Sequence, residues 1–315
     1  MKTLTTILAL FVLVVSATAQ QDAQYTQFMF NKIAFNPAYA GSHKAPCLSG
    51  IYRTQWVNLE GAPVSQNFNF HMPLFHNRIG IGMSVHHDRI GPTNTWNYAM
   101  QYAYRVKIGK GDLSFGVQGQ IRDYQVDWQG VSAVHSGDAL YGFREDTKLI
   151  PNFGFGVYYG HDNFYAGVSM PRLLNNDLTF QYDGNIQNSD FSREARHFFG
   201  MAGLILPISD AIKLKPAALV KVAPNSPFDM DLHGGVIFYD KVNVGATYRI
   251  GGFQGNAGES IDFVLQLILT ERLKIGLAYD YTLSDIRTYQ NGTYELMVEY
   301  CMHSKQRGST NPRFF

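Results

Sequence analysis

The sequence predicts an all-β fold: a transmembrane antiparallel outer-membrane β-barrel of about 14 strands, with an N-terminal hatch or plug segment inside or below the lumen. Three observations predict it. From Cys47 onward, runs of residues alternate with a period of two, and each run ends in turn residues. The connections between runs alternate between short and long. The charged residues within the runs fall on the face opposite the large apolar side chains. A strand sends successive side chains to opposite faces, so such runs have one apolar and one polar side.

The chain opens on an export signal. Met1-Lys2, an apolar run over residues 7–15 and Ala17-Thr18-Ala19 are the charged, apolar and small-residue parts of a signal peptide over residues 1–19, with cleavage before Gln20. The apolar run is well short of the roughly 20 residues that a spanning helix needs. No Cys follows the cleavage site, so a lipid-modified N-terminus is not expected.

Residues 20–46 are the predicted hatch. Tyr25, Phe28, Phe30, Phe35 and Tyr39 are too many aromatics to leave in water, and Asn36-Pro37 breaks any helix begun before it. Phe35, Asn36, Pro37, Ala38 and Tyr39 form its centre. The segment is expected to start on the periplasmic side and fold upward into the lumen, with the bend at Asn36-Pro37.

Strands are predicted at 47–56, 63–72, 78–87, 95–106, 112–124, 152–161, 163–170, 195–206, 211–222, 229–239, 241–250, 259–270, 272–283 and 292–303. They make a barrel over 47–303, followed by a periplasmic C-terminal tail over 304–315. In the clearest run, Leu113, Phe115, Val117, Gly119 and Ile121 alternate with Ser114, Gly116, Gln118, Gln120 and Arg122. Trp96, Tyr98, Met100, Tyr102 and Tyr104 likewise face away from Asn97, Ala99, Gln101, Ala103 and Arg105, and the same pattern holds over 273–282. Most runs are near the 9–11 residues that a tilted membrane strand needs. Pro216 is tolerable near the beginning of a strand and not in its centre.

With the first strand running outward, the inner connections are 73–77, 107–111, 207–210 and single positions around Asp162, Asp240-Lys241 and Glu271, all short. The outer ones include 125–151 and 171–194, which are much longer. Short periplasmic turns and longer external loops are the outer-membrane pattern, and it puts both chain termini in the periplasm. Arg53, Arg78, Arg105, Arg122, Arg249, Lys274, Asp262, Asp280, Glu295 and Glu299 fall on the inner face. Facing lipid, a midplane Arg or Lys would cost about 2–4 kcal/mol. Both signs are present, so the lumen reads as cross-linked and partly filled.

Cys47 and Cys301 open the first strand and close the last. In a closed barrel these strands are neighbours, and the alternation points both residues into the lumen. Adjacent cross-strand positions lie within disulfide range, so the two are expected to approach each other. Two unpaired thiols displaced by the barrel shear are the alternative, because register is not legible in sequence.

Composition excludes several classes. Charged residues are 16% of the chain against 14% aromatic, the opposite of a disordered composition. A net charge of +1 without clustered Lys and Arg gives no nucleic-acid face. His86-His87-Asp88 is a tight cluster, but neighbouring strand residues face opposite sides and cannot hold one ion. No nucleophile-base constellation, phosphate loop or Cys-x-x-Cys motif is present, so neither an enzyme, a cofactor nor a metal is expected.

The residues over 21–31, reading Gln-Asp-Ala-Gln-Tyr-Thr-Gln-Phe-Met-Phe-Asn, lead into Phe35-Asn36-Pro37-Ala38-Tyr39-Ala40-Gly41-Ser42, and this stretch resembles the opening of the PorP/SprF family of Bacteroidetes outer-membrane proteins. Tyr52-Arg53-Thr54-Gln55-Trp56 and Asn311-Pro312-Arg313-Phe314-Phe315 are similar to the family's first strand and C-terminal ending. The resemblance implies a role in the type IX secretion system. Family members accompany secreted adhesins or connect the outer membrane to the machinery, and are tied to gliding motility. Outer-membrane lipid, the C-terminal domain of an adhesin or other cargo and periplasmic secretion-ring components are the partners implied. The leading reading is therefore a barrel scaffold or anchor. Trp128, Tyr141, Phe143, Phe180 and Tyr182, in the long loops, are its candidate partner contacts, since loops on a rigid scaffold commonly carry recognition. Asn36-Pro37-Ala38 is also similar to the hatch of FadL-like fatty-acid transporters, so the alternative is a transporter or porin for small or hydrophobic solutes.

Overall fold

Period-two alternation becomes a wall. In a computed structural model, which describes residues 24–43, 45–127, 146–178, 193–224, 229–251 and 258–302, the strands are β1 (Cys47–Thr54), β2 (Val64–Leu74), β3 (Ile79–Ile90), β4 (Thr93–Ile108), β5 (Gly111–Val126), β6 (Asp146–Gly160), β7 (Phe164–Met170), β8 (Phe198–Leu204), β9 (Leu206–Pro207), β10 (Ile212–Val222), β11 (Asp229–Phe238), β12 (Val242–Ile250), β13 (Ser260–Ile268), β14 (Leu273–Thr282) and β15 (Thr293–Cys301). Residues 1–19 and 304–315 lie outside the described residues. So do Trp128, Tyr141, Phe143, Phe180 and Tyr182.

Apart from β9, each strand pairs antiparallel with the next, β8 pairing directly with β10, and β15 returns to β1 in the register Cys47↔Cys301 to Thr54↔Tyr294, which closes the ring. The 15-stranded sheet includes the two-residue β9, which continues β8 along β10 in the same register, so the barrel has 14 strand positions. The break between β8 and β9 has a local cause. Ile212 turns its carbonyl to Ile208 on the β9 side, so Pro216, four residues on, turns the same way towards Leu204. It has no N–H to donate there, and the ladder lapses.

The predicted alternation holds around the wall. Phe115, Val117 and Ile121 are exposed outward, while Ser114, Gln118 and Gln120 of the same strand are buried inside. Strands β5 and β6 rise further than the sequence suggests, pairing as far as Val126↔Asp146. Arg78 is a correction: it is exposed in the turn ahead of β3, not in the lumen. Phe75, His76 and Asn77 before it adopt positive φ, so the reversal ends one residue later than expected.

The core lies inside the ring. Tyr25, Phe28, Met29, Ile33, Phe35, Ala38 and Tyr39 are buried against inward-facing wall residues such as Tyr158, Tyr165, Phe199, Leu219 and Met297. The contacts of this segment step along the barrel. Gln24 donates to Asp229 at the start of β11, Tyr25 meets His86, Asn31 meets Asn67 and Asn69, and Gly41 N donates to His71. His43 then reaches Cys301 at the far end. The segment thus descends from the long-connection end to the short-turn end, where it enters β1. This reverses the predicted upward path, and it also places the first described residues at the long-connection end. The chain is long enough: compact turns rise about 2 Å per residue, against an apolar band roughly 25 Å tall.

Two 3₁₀ turns, Lys32–Ala34 and Pro37–Tyr39, shape the descent. Asn36 caps the second, its Oδ1 accepting from Ala38 N at 2.9 Å, and its amide donates to Val157 O and Val168 O on β6 and β7. Pro37 takes the first helical position, where a missing N–H costs nothing. The wall admits the segment through glycines. A Cβ on Gly80 would lie 1.9 Å from Ala40 O, and one on Gly116 would lie 2.2 Å from Ala38 N.

Gly116→Val should therefore unseat the segment, since forced overpacking costs about 1–3 kcal/mol or more. Limited proteolysis of the folded barrel should show faster cleavage within residues 24–43. Gly50→Val, where a Cβ meets nothing within 4 Å, serves as the control and should behave as the wild type.

Candidate functional site

The candidate site is the lumen, where the inner-face polar residues meet the segment. Arg53 Nη2 lies 2.7 Å from Asp280 and its Nη1 3.2 Å from Glu295. Arg249 bridges Asp231 at 2.9 Å, Asp262 at 3.3 Å and Asp280 at 3.7 Å, and Lys221 joins Asp229 and Asp231. The carboxylates also hold the segment. Thr26 N and Gln27 N donate to Glu295 at 2.9 and 3.0 Å, and Thr26 Oγ1 donates to Asp280 at 2.7 Å.

At the short-turn end the polarity reverses. Arg105 donates to Ala40 O at 2.7 Å, Gly41 O at 3.2 Å and Asn77 O at 2.9 Å, so a guanidinium holds segment carbonyls where carboxylates held N–H groups above. Lys274 pairs with Glu299 at 2.6 Å. Lys32 of the segment sits over the Tyr165 ring at 4.7 Å and Lys215 over Phe30 at 4.4 Å. A disulfide joins Cys47 and Cys301 across the seam, with Cα atoms 4.1 Å apart. His43 is close by, its Nε2 2.5 Å from Tyr39 Oη. The sulfurs are committed to each other, so the group His43, Cys47 and Cys301 does not offer two thiolates to an ion.

Above the segment, towards the long-connection end, lies a cavity of about 380 Å³. Tyr25 and Phe35 belong to its lining, with Gln101, Gln118, Gln120 and Arg122 from β4 and β5. The two ends of the 171–194 connection and the residues that lead from it into β8 fold inward and supply Arg172, Glu194 and His197. Arg122 Nη1 lies 2.8 Å from Glu194. Asn152 receives Leu173 N and Leu174 N and donates to Glu194, which fixes the inward course. Burial, reinforced by the Arg172 charge, pushes His197 down to about 4, so it is neutral at physiological pH.

Of the predicted lumen charges, Arg53, Arg249, Asp280 and Glu295 form one network with the segment, Arg105 and Glu299 serve its lower end, and Arg122 lines the cavity. Sequence reasoning missed Arg172, Glu194 and His197, because they lie in or beside a connection without periodicity. It placed Gln101, Gln118 and Gln120 on the inner face but assigned them nothing. His86 and His87 do part company: His86 bonds Tyr25 and Asn67 inside, while His87 stacks on Trp96 with centroids 4.1 Å apart.

A closed barrel with a plugged lumen and this N-terminal segment matches one family model over residues 17–300, that of the type IX secretion system membrane protein PorP/SprF. The chain belongs to the PorP/SprF family. No curated protein matches it. Solved structures resemble this PorP/SprF barrel only loosely. Omp33 of Acinetobacter baumannii is 8% identical with a TM-score of 0.49, over 82% of this chain and 98% of that one. CdiB from Acinetobacter baumannii is 9% identical at 0.43, over 82% and 60%, and the KdgM porin is 8% identical at 0.36, over 82% and 99%.

The ion network yields a prediction for the PorP/SprF barrel. Breaking a buried pair by removing one partner costs about 3–5 kcal/mol, since the other charge is left uncompensated. Arg53→Met should lower the unfolding midpoint in detergent accordingly, and the double variant with Asp280→Asn should recover part of the loss. Equal midpoints for the single variant and the wild type would remove Arg53 from the interactions that hold the segment.

Proposed function

We propose that this protein is an outer-membrane scaffold or anchor of the type IX secretion system, whose long connections face the cell exterior and receive the C-terminal part of a secreted partner such as a gliding adhesin. Family membership supports the secretion role. The observation that carries the scaffold reading is the course of residues 24–43, which pack the barrel from one end to the other and are bonded to the wall at both. A barrel filled in this way suits a fixed platform better than a steady conduit. Its exposed outer face, with Phe115, Val117, Phe153 and Leu277 among the exposed apolar side chains, meets lipid.

The partner is held, on this reading, by the 125–151 and 171–194 connections, with Trp128, Tyr141, Phe143, Phe180 and Tyr182 as anchors, and the short turns face the periplasmic secretion-ring components. A rigid wall presenting long loops is a common arrangement for such recognition.

The test has two arms. Affinity capture from solubilised native membranes should recover a large secreted protein or periplasmic ring components; recovery of neither would count against the scaffold. In planar bilayers the intact barrel should be silent and a variant lacking residues 24–41 should conduct. Steady conductance by the intact barrel would favour a porin or transporter instead.

A further inference from the structure

The seam disulfide joins two residues that stand together without it. Cys47 and Cys301 are direct partners at the end of the β1 to β15 ladder, and the pairing continues past them, with Met302 N donating to Pro46 O at 2.8 Å. The ladder therefore holds both backbones in place whether or not the sulfurs are bonded. Every chain is synthesised with thiols, so the bonded state is reached by oxidation, and thiol–disulfide exchange reverses it.

A third ligand faces the two sulfurs. His43 is buried beside them, with Nδ1 3.7 Å from Cys301 Sγ and Nε2 2.5 Å from Tyr39 Oη. The ligand atoms of His43, Cys47 and Cys301 all lie within 4.8 Å of one another. In a tetrahedral zinc site, with zinc to sulfur about 2.3 Å and zinc to nitrogen about 2.0 Å, neighbouring sulfur and nitrogen ligands stand roughly 3.5 Å apart. His43 and Cys301 are already near that spacing, and breaking the bond between the sulfurs lets them separate to a similar one. Tyr39 occupies the place of the outer partner that a metal-bound imidazole uses. With Nε2 donating to Oη, Nδ1 turns its lone pair to the sulfurs, and in the disulfide state it faces a sulfur that has no proton to give. Glu299, two residues before Cys301 on the same inward face, has Oε1 3.8 Å from Cys301 Sγ, which leaves it a side-chain rotation from a fourth position.

The charge of the site favours a divalent ion. All four residues are buried, and Lys274 pairs with Glu299 at 2.6 Å. A dication that displaces the two thiol protons leaves the net charge unchanged, so no uncompensated charge is added to a buried place. Thiolate and imidazole together suit zinc, which asks for no redox change and accepts a tetrahedral set.

We infer that the seam has two exclusive states: the disulfide, and a reduced state in which Cys47, Cys301 and Nδ1 of His43 bind a zinc ion, with Glu299 turned to the fourth position. A dithiol converts the first to the second. It passes two electrons and two protons to the disulfide, is itself oxidised to a disulfide, and leaves two thiols whose protons the zinc displaces. The site is independent of the scaffold reading, since it uses the barrel seam and not the long-loop anchors.

Cobalt(II), a coloured substitute for zinc, tests it on the full-length protein in detergent. One sample is left oxidised. The other is reduced with a phosphine in the absence of air, and its barrel is checked by electrophoretic mobility without heating. The reduced barrel should take up one equivalent of cobalt, with the sulfur-to-cobalt charge-transfer band and the intense visible bands of a tetrahedral site, and zinc should displace it with a Kd of about 1 μM or tighter. The oxidised barrel should show none of these bands. His43→Gln should weaken cobalt binding by more than the roughly tenfold that loss of an outer-shell partner costs. The comparison of oxidised with reduced wild type does not depend on how the variant folds. Absence of the charge-transfer band from the reduced barrel, the same cobalt spectrum in both redox states, affinity unchanged in His43→Gln, or loss of the folded barrel on reduction would each overturn the assignment.

Discussion

The width of the ring is the constraint on which the rest depends. About eight strands close on a space that wall side chains can fill, and wider barrels leave room inside. With 14 positions this wall cannot make a core of its own. Residues 24–43 make it instead, so the hydrophobic core is segment against wall. That requirement explains the inner face: glycine at Gly80 and Gly116 where the segment's backbone comes closest, small or amide side chains where it is further off, and charges where its backbone must be held.

The segment is held by opposite means at its two ends. Glu295 collects the N–H groups of Thr26 and Gln27, while Arg105 collects the carbonyls of Ala40 and Gly41. Neither pair of peptide groups belongs to a regular helix or strand, so the wall supplies the partners that secondary structure would otherwise give. Buried ions of this kind are weak evidence for net stability, since desolvation offsets much of the attraction. Their consequence is placement: shifting the segment by a residue would leave several charges and peptide groups unpaired at once.

The wall was largely legible in the sequence. Its strands face lipid on one side and a polar lumen on the other, so Phe115, Val117 and Ile121 had to alternate with Ser114, Gln118 and Gln120. Pro216 was legible as an irregularity, and the structure explains it through the lapse between β8 and β9. Arg78 was misplaced because a reversal built on three positive-φ residues leaves no periodic trace. The cavity was half legible. Gln101, Gln118 and Gln120 announce an inner face, but Arg172, Glu194 and His197 reach it through an irregular backbone course fixed by Asn152, and nothing local in the sequence encodes that.

The sequence by itself determined the class of fold, the number of strands, the inward sense of most charges and the need to cover an aromatic N-terminal segment. All of these follow from local alternation and from the cost of exposing aromatics to water or charges to lipid. Tertiary structure decided the register that joins Cys47 to Cys301, the pairing of Arg53 with Asp280 and Glu295, and the downward path of residues 24–43. These depend on which distant residues share a level in the closed ring. Alternation fixes the face of a side chain but not its height, and the path of the segment is set by the heights of its partners.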